Sequence, residues 1–252
     1  MATEAKLEGK VVLVTGAARR VGAAIARRLH AAGANLMLHY RSAEADAQAL
    51  QRELNALRAD SVALAQADLL DIDGLPVLVR NTLARFGRLD ALVNNASSFY
   101  ATPFGGISDR DWDDLVGTNL KVPLFLSQAA APSLKKAGGS IVNIVDIHAE
   151  RPLRNFAVYS MAKSGLSGLT RALARELGPE VRVNGVSPGP VQWPDDDSLF
   201  DEVTRQRTVS QTLLKRTGDP DDIAGAVLYL ITDAPYVTGQ IIAVDGGRSI
   251  NL

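Results

Sequence analysis

Short apolar runs rich in β-branched residues recur along the chain, at Val11–Val14, Asn35–His39, Ser61–Ala65, Leu89–Val93, Ser140–Val145, Val181–Val186 and Ile241–Val244. Between them, apolar residues fall at three- and four-residue spacing, the period of an amphipathic helix. Strands buried on both faces read as continuously apolar, and parallel neighbours need right-handed crossovers. The alternation therefore predicts an α/β fold, a doubly wound sheet of seven mostly parallel strands flanked by helices. No shift in composition and no internal repeat divides the 252 residues, so one domain over 1–252 is expected. One stretch resists the pattern: Pro188 to about Thr208 holds Pro188, Gly189, Pro190, Pro194 and the triple Asp195, Asp196, Asp197. It reads as a long irregular loop, either a solvated surface segment or a lid.

Composition narrows the function classes. With 27 Lys and Arg against 28 Asp and Glu, the net charge of -1 provides no field for nucleic acid or anionic lipid. The absence of cysteine excludes disulfides, thiolate metal sites and thiol nucleophiles. His30, His39 and His148 are spaced in no metal-binding pattern, and solvent-exposed or capping roles are expected for them. Met1 to Lys10 lacks the apolar core of a signal peptide, and no later stretch is apolar for long enough to span a bilayer. A cytoplasmic protein is the expectation.

Candidate chemistry begins after the first strand, where Thr15-Gly16-Ala17-Ala18-Arg19-Arg20-Val21-Gly22 opens a helical pattern. Gly16 permits a tight turn, Gly22 permits close packing of the helix on the sheet, and the helix N-terminus then faces a pyrophosphate. An NAD site would place an acid about 20 residues further on, for the ribose hydroxyls. No acidic residue occurs from Gly9 to Ala43, and the second strand ends His39-Tyr40-Arg41-Ser42. Guanidinium groups and a hydroxyl there suit the 2′-phosphate of NADPH, although Arg41 could equally solvate a strand end. Asp68, after the third strand, is placed to accept from an adenine amino group or to cap the next helix. Asn94-Asn95-Ala96-Ser97 follows the fourth strand, where small residues let the backbone approach a ligand. Tyr159 and Lys163, four apart on a helical pattern running to Leu177, share one face. A nearby ammonium would stabilise the phenolate of Tyr159, whose ordinary pKa of about 10 makes it a poor proton carrier at neutral pH.

The glycine loop, Asn94-Asn95-Ala96, Asn119, Tyr159-x-x-x-Lys163, Pro188-Gly189, Val237-Thr238-Gly239-Gln240 and Asp245-Gly246-Gly247 occur in the order found in short-chain dehydrogenases/reductases, which the chain resembles from about Gly9 to Gly247. That resemblance implies a single Rossmann-type domain of seven parallel strands, assembled as a homotetramer. Two departures from the general pattern, Asp146 in place of the usual Ser and Arg20 in place of the loop's middle glycine, look like pteridine reductases. So do His39-Tyr40-Arg41-Ser42 and Asn95-Ala96-Ser97-Ser98-Phe99-Tyr100. By that resemblance Asp146, Tyr159 and Lys163 form the catalytic group. The NADPH site would use Gly16, Arg20 and Val21, then His39, Tyr40, Arg41 and Ser42. Asp68, Leu69, Asn95, Ala96, Ser97, Asn119, Lys163, Pro188 and Gly189 would complete it. Arg20, Ser97, Phe99, Asp146 and Tyr159 would meet the substrate, with Phe99 stacked on a pterin ring; the plain reading of Phe99 is a core aromatic.

The implied activity is NADPH-dependent reduction of a dihydropterin to a tetrahydropterin, with oxidised pterin, dihydrofolate and dihydromonapterin as related substrates. Reducing a C=N bond leaves a ring nitrogen to be protonated, and a carboxyl at Asp146 adds an acid for that step. The competing readings are a carbonyl reductase, such as a 3-ketoacyl-thioester reductase, and a non-catalytic NADPH sensor. Arg151 and Arg154 could line the pocket mouth or face solvent, and Trp112 is expected in the core or at a subunit interface.

Overall fold

A computed structural model of the chain describes residues 6–193 and 201–251. Pro194 and the acidic triple Asp195 to Asp197 lie outside the described residues. The strands are β1 Val11–Val14, β2 Asn35–Tyr40, β3 Val62–Gln66, β4 Ala91–Asn94, β5 Ser140–Ile144, β6 Arg182–Pro188 and β7 Ile241–Val244. All pair in parallel in one sheet of order β3-β2-β1-β4-β5-β6-β7. The helices are α1 Arg20–Ala31, α2 Glu44–Leu57, α3 Leu75–Phe86, α4 Asp109–Val116, α5 Val122–Ala137, α6 Ala157–Leu177, α7 Glu202–Ser210 and α8 Pro220–Thr232. No described helix is long and apolar enough to cross a membrane.

Alternation along β1 shows how the layers form. Val12 and Val14 point into one core with Ile25 and Leu29 of α1, Leu50 and Leu54 of α2, and Val227 and Leu230 of α8. Leu13 points into the other, with Leu78 of α3, Leu126 and Leu134 of α5, and Leu173 of α6. Every one of these side chains is at least nine-tenths buried, which accounts for the unbroken apolar reading of the strands.

The structure changes the sequence reading in several places. The stretch expected to be irregular to Thr208 instead contains α7, capped by Asp201, whose carboxylate accepts from the Thr204 N–H at 2.8 Å. Between α4 and α5 the chain makes a π-helical turn, Gly117–Lys121, that carries Asn119. His30 and His39 are buried rather than exposed: each lies on the inward side of its element, and each ring finds a polar partner there. Trp112, expected in the core or at a subunit interface, is 48% exposed on α4 and so does not belong to the core.

Candidate active site

Parallel strands end together, and the strand order reverses between β1 and β4, so the carboxyl ends of these two strands open a crevice. A cavity of about 1000 Å³ lies there, at the upper end of the range for small-molecule sites. Its floor is the glycine loop. Gly16 has φ +60°, and a Cβ on it would stand 2.9 Å from the Ala96 Cα. A Cβ on Gly22 would meet the Gly16 carbonyl oxygen at 2.3 Å and the Asn95 Nδ2 at 2.7 Å. Gly22 thus packs on the loop's own first turn and on Asn95, and not on the sheet as the sequence suggested. Asn95 fastens this floor: its Nδ2 donates to the carbonyls of Thr15 at 2.9 Å and Gly16 at 3.0 Å. Thr15 Oγ1 in turn accepts from the N–H groups of Asn95 at 2.9 Å and Ala96 at 3.0 Å.

Arg20 begins α1 with φ +55°, the left-handed region that glycine would occupy freely. Its Nη2 reaches across the cleft to the carbonyls of Gln192 at 2.9 Å and Trp193 at 3.3 Å. At the end of β2, His39 is held inside, Tyr40 is buried, and Arg41 and Ser42 stand at the rim. Asp68 is not a helix cap: its Oδ1 accepts from the Leu70 N–H at 3.0 Å, and the next helical turn, Ile72–Gly74, starts from Asp71.

β5 and α6 bring together Asp146, Tyr159 and Lys163, the catalytic group expected from the sequence. Beyond the end of β5 Asp146 is extended, with Oδ1 accepting from the His148 N–H at 2.8 Å and Oδ2 accepting from the Tyr159 hydroxyl at 2.7 Å. On α6, Tyr159 and Lys163 lie one turn apart, both buried. Lys163 Nζ donates to the Ile144 carbonyl at 2.9 Å and stands 5.7 Å from the centre of the Tyr159 ring. Burial pushes the Tyr159 phenol well above its usual pKa; the Asp146 carboxylate adds to this and the Ser97 hydroxyl opposes it. Burial also lowers Lys163 to about 8, against the pull of Asp146. Desolvation and a carboxylate both disfavour a second negative charge on this oxygen, so the tyrosine keeps its proton.

Aromatic rings pack beside Tyr159. Phe99 stacks on Phe156, with centroids 4.7 Å apart and planes 18° apart, and meets Tyr159 edge-on at 4.8 Å. One face of Phe99 is thus already covered from within the chain. Ser97 Oγ donates to Asn119 Oδ1 at 2.6 Å, while Asn119 Nδ2 donates to the carbonyls of Ser98 and Leu115, each at 2.9 Å.

Of the residues assigned from the sequence to catalysis, cofactor or substrate, Asn119 alone does not line the cavity; it is buried and props the Ser97–Ser98 segment from behind, and Arg151, weighed for the pocket mouth, does not border the cavity either. Gly16, Arg20, Val21, His39 through Ser42, Asp68, Leu69, Asn95 through Ser97, Phe99, Asp146, Tyr159, Lys163, Pro188 and Gly189 all border it. So does Arg154, while His148 borders it with its Nδ1 against the Arg151 carbonyl at 2.9 Å. The sequence reading missed one face of α7, Thr204, Arg207, Thr208 and Gln211, together with Arg248. Their i, i+3, i+4, i+7 spacing was legible, but the face is polar, so an apolar-periodicity search passes over it. Among the described residues no cluster could hold a metal ion.

Comparison with known proteins agrees with this geometry. The family model for enoyl-(acyl carrier protein) reductase matches residues 16–249. Pteridine reductase 1 of Leishmania tarentolae is 40% identical over 280 residues, covering 95% of this chain and 96% of the relative. The 3-oxoacyl-[acyl-carrier-protein] reductase FabG of Staphylococcus aureus (strain Mu50 / ATCC 700699) is 36% identical over 241 residues, covering 94% and 97%. Among solved structures, a blue fluorescent protein from a metagenomic library in complex with NADPH superposes with a TM-score of 0.90 at 39% identity, over 96% of this chain and 99% of that one. A short-chain dehydrogenase/reductase of Brucella melitensis, described as a glucose/ribitol dehydrogenase, gives 0.91 at 36% identity, over 97% and 98%. With that coverage and that crevice, the chain belongs to the short-chain dehydrogenase/reductase family of oxidoreductases.

Proposed function

We propose that the protein reduces a pterin with NADPH, taking a dihydropterin to the tetrahydropterin. The observation that carries this reading is the Asp146–Tyr159 hydrogen bond: a carboxylate, where the family pattern has a neutral serine, accepts from the phenol at 2.7 Å. The 40% identity to a pteridine reductase supports it. The glycine loop fits a dinucleotide, since it turns tightly at the crevice floor, with Gly16 and Gly22 packed so closely on Ala96, Asn95 and the loop itself that neither has room for a Cβ. A solved relative holds NADPH, and Arg41 with Ser42 at the end of β2 suits its 2′-phosphate.

Bound NADPH would supply the hydride. The residues of the chain manage the proton. Tyr159 holds it at its hydroxyl oxygen at neutral pH and releases it only to a group that becomes strongly basic as negative charge develops, such as a reduced ring nitrogen. Asp146 orients that hydroxyl and is itself fixed by the His148 N–H. Lys163 places a positive charge behind the ring. Phe99, backed by Phe156, presents an aromatic wall to a flat heterocycle.

A 3-ketoacyl-thioester reductase is the second reading, favoured by the 36% identity to FabG over the same span. NADPH oxidation followed with dihydrobiopterin, dihydrofolate and a ketoacyl thioester side by side separates the two. Asp146→Ser sharpens the test: pterin turnover should fall by about 10² or more, within the range of general acid–base catalysis, with NADPH affinity retained. Undiminished pterin turnover in Asp146→Ser, or turnover of the thioester alone in the wild type, would overturn the pterin reading.

A further inference from the structure

His39 sits in the middle of this site but is 98% buried, and both its ring nitrogens are engaged in opposite senses. Nδ1 accepts from the Gly16 N–H at 3.2 Å, while Nε2 lies 3.1 Å from the Ala67 carbonyl, to which it can only donate. Together these contacts fix the neutral Nε2–H tautomer. The backbone of the same residue accepts from the Ala17 N–H at 2.9 Å. One residue therefore binds the first two N–H groups of the glycine loop and ties them to the turn after β3 that carries Asp68.

We propose that His39 is a positioning residue for the dinucleotide loop, a latch that holds only while its imidazole is neutral and that makes cofactor affinity fall in acid. The proposal rests on reading the loop as a dinucleotide site and is independent of the pterin assignment. Protonation at Nδ1 would set a donor against the Gly16 N–H, and two opposed buried donors cannot both be satisfied. Gly16, already confined by Ala96 and Asn95, would have to turn away. The charged groups acting on the imidazole are Asp68, which favours the cation, and Arg41, which disfavours it. Burial, with Arg41 on its side, outweighs the Ala67 contact and Asp68 and keeps the ring below its ordinary pKa of 6.5, so the latch is closed at neutral pH.

The test measures the dissociation constant of NADP⁺, which survives acid, by calorimetry between about pH 5 and 8. The protein is wild type, His39→Asn, which keeps an acceptor for Gly16 and cannot titrate, and His39→Leu, which keeps neither bond. Titration of the 2′-phosphate, with a pKa near 6, is common to all three and cancels in their ratios. His39→Leu should bind about tenfold more weakly at pH 7.5, and His39→Asn within about threefold of wild type, as expected when the acceptor for the Gly16 N–H is lost or kept. The ratio of wild-type to His39→Asn dissociation constants should rise as pH falls below 6.5. Nitrogen shifts of the imidazole in the wild type should report the Nε2–H tautomer at pH 7, a measurement that needs no variant to fold. A constant ratio across pH, an Nδ1–H tautomer, or His39→Leu binding as wild type would overturn the latch. Failure of the wild type to bind NADP⁺ at any pH would overturn the dinucleotide reading and the latch with it, while loss of pterin turnover alone would touch neither.

Discussion

Lys163 illustrates how single residues in this site are set against their own stability. Its ammonium is buried, with the Ile144 carbonyl as its hydrogen-bond acceptor, and burial lowers it from 10.5 to about 8. Because the folded value lies below the unfolded one, the folded chain sheds the proton first, and stability rises with pH between about 8 and 10.5. At neutral pH the charge is a cost that the fold carries for function. Lys163→Met should therefore raise the melting temperature of the cofactor-free protein at pH 7 while abolishing turnover, with the gain shrinking towards pH 10. Thermal unfolding at the two pH values checks this, and a lower melting temperature at pH 7 would contradict it. That Tyr159 and Lys163 share a helix face was legible from their spacing, and Asp146 entered only through the family resemblance, but the direction in which the tyrosine titrates was not legible. Burial sets that direction first and the Asp146 carboxylate adds to it, and how deeply a phenol is buried is a property of the whole fold that local spacing does not carry.

At the level of elements, the strands were readable most clearly at β1, where burial on both faces leaves Val11–Val14 apolar without interruption, and less so towards the half-buried edge strands β3 and β7. What escaped were elements that keep no apolar signature. The π-turn at Gly117–Lys121 continues a helical run with one extra residue and leaves no mark in the apolar period. α7 has a polar face towards the cavity and no buried residue, so proline, glycine and acids before it made the whole stretch look irregular. Helix starts are clearer, because they depend on local side chains. α8 opens with a capping box in which Asp219 and Asp222 satisfy each other's backbone N–H groups, with Pro220 at the first turn. Asp219→Ala should cost about 1 kcal/mol, a fall of about 2–4 °C in melting temperature for a chain of this size, read by calorimetry, while cofactor affinity stays as in the wild type.

On the scale of the whole molecule, the two ends of the sheet do different work. The carboxyl ends of β1 and β4 carry the crevice; their amino ends are tied by Asp90. Its Oδ2 accepts from the Val11 N–H at 2.9 Å, Arg88 donates to both oxygens at 2.7 and 2.6 Å, and Lys10 pairs at 3.2 Å. Burial works against the carboxylate, but these partners outweigh it and hold the group below its usual pKa of 3.8. An acid depressed in the folded state contributes stability above its unfolded pKa and loses it as pH falls through the folded value. Asp90→Asn should consequently lower the melting temperature at pH 7, and the difference from wild type should close towards pH 3. Turnover at 25 °C should be unchanged, because the tie lies at the far end of the sheet; a loss of cofactor affinity in this variant would show that the two ends are coupled.

The backbone of Arg20 has a consequence for how such a site is kept through descent. Holding a residue other than glycine in the left-handed region costs about 1 kcal/mol or more, and at this position the general pattern of the family uses glycine. Every arginine codon becomes a glycine codon by one change in its first base. Replication error therefore offers the relaxed backbone continually, and an arginine that persists here is not stranded by the genetic code. Its guanidinium, which spans the cleft to Gln192 and Trp193, is the part that a glycine could not supply.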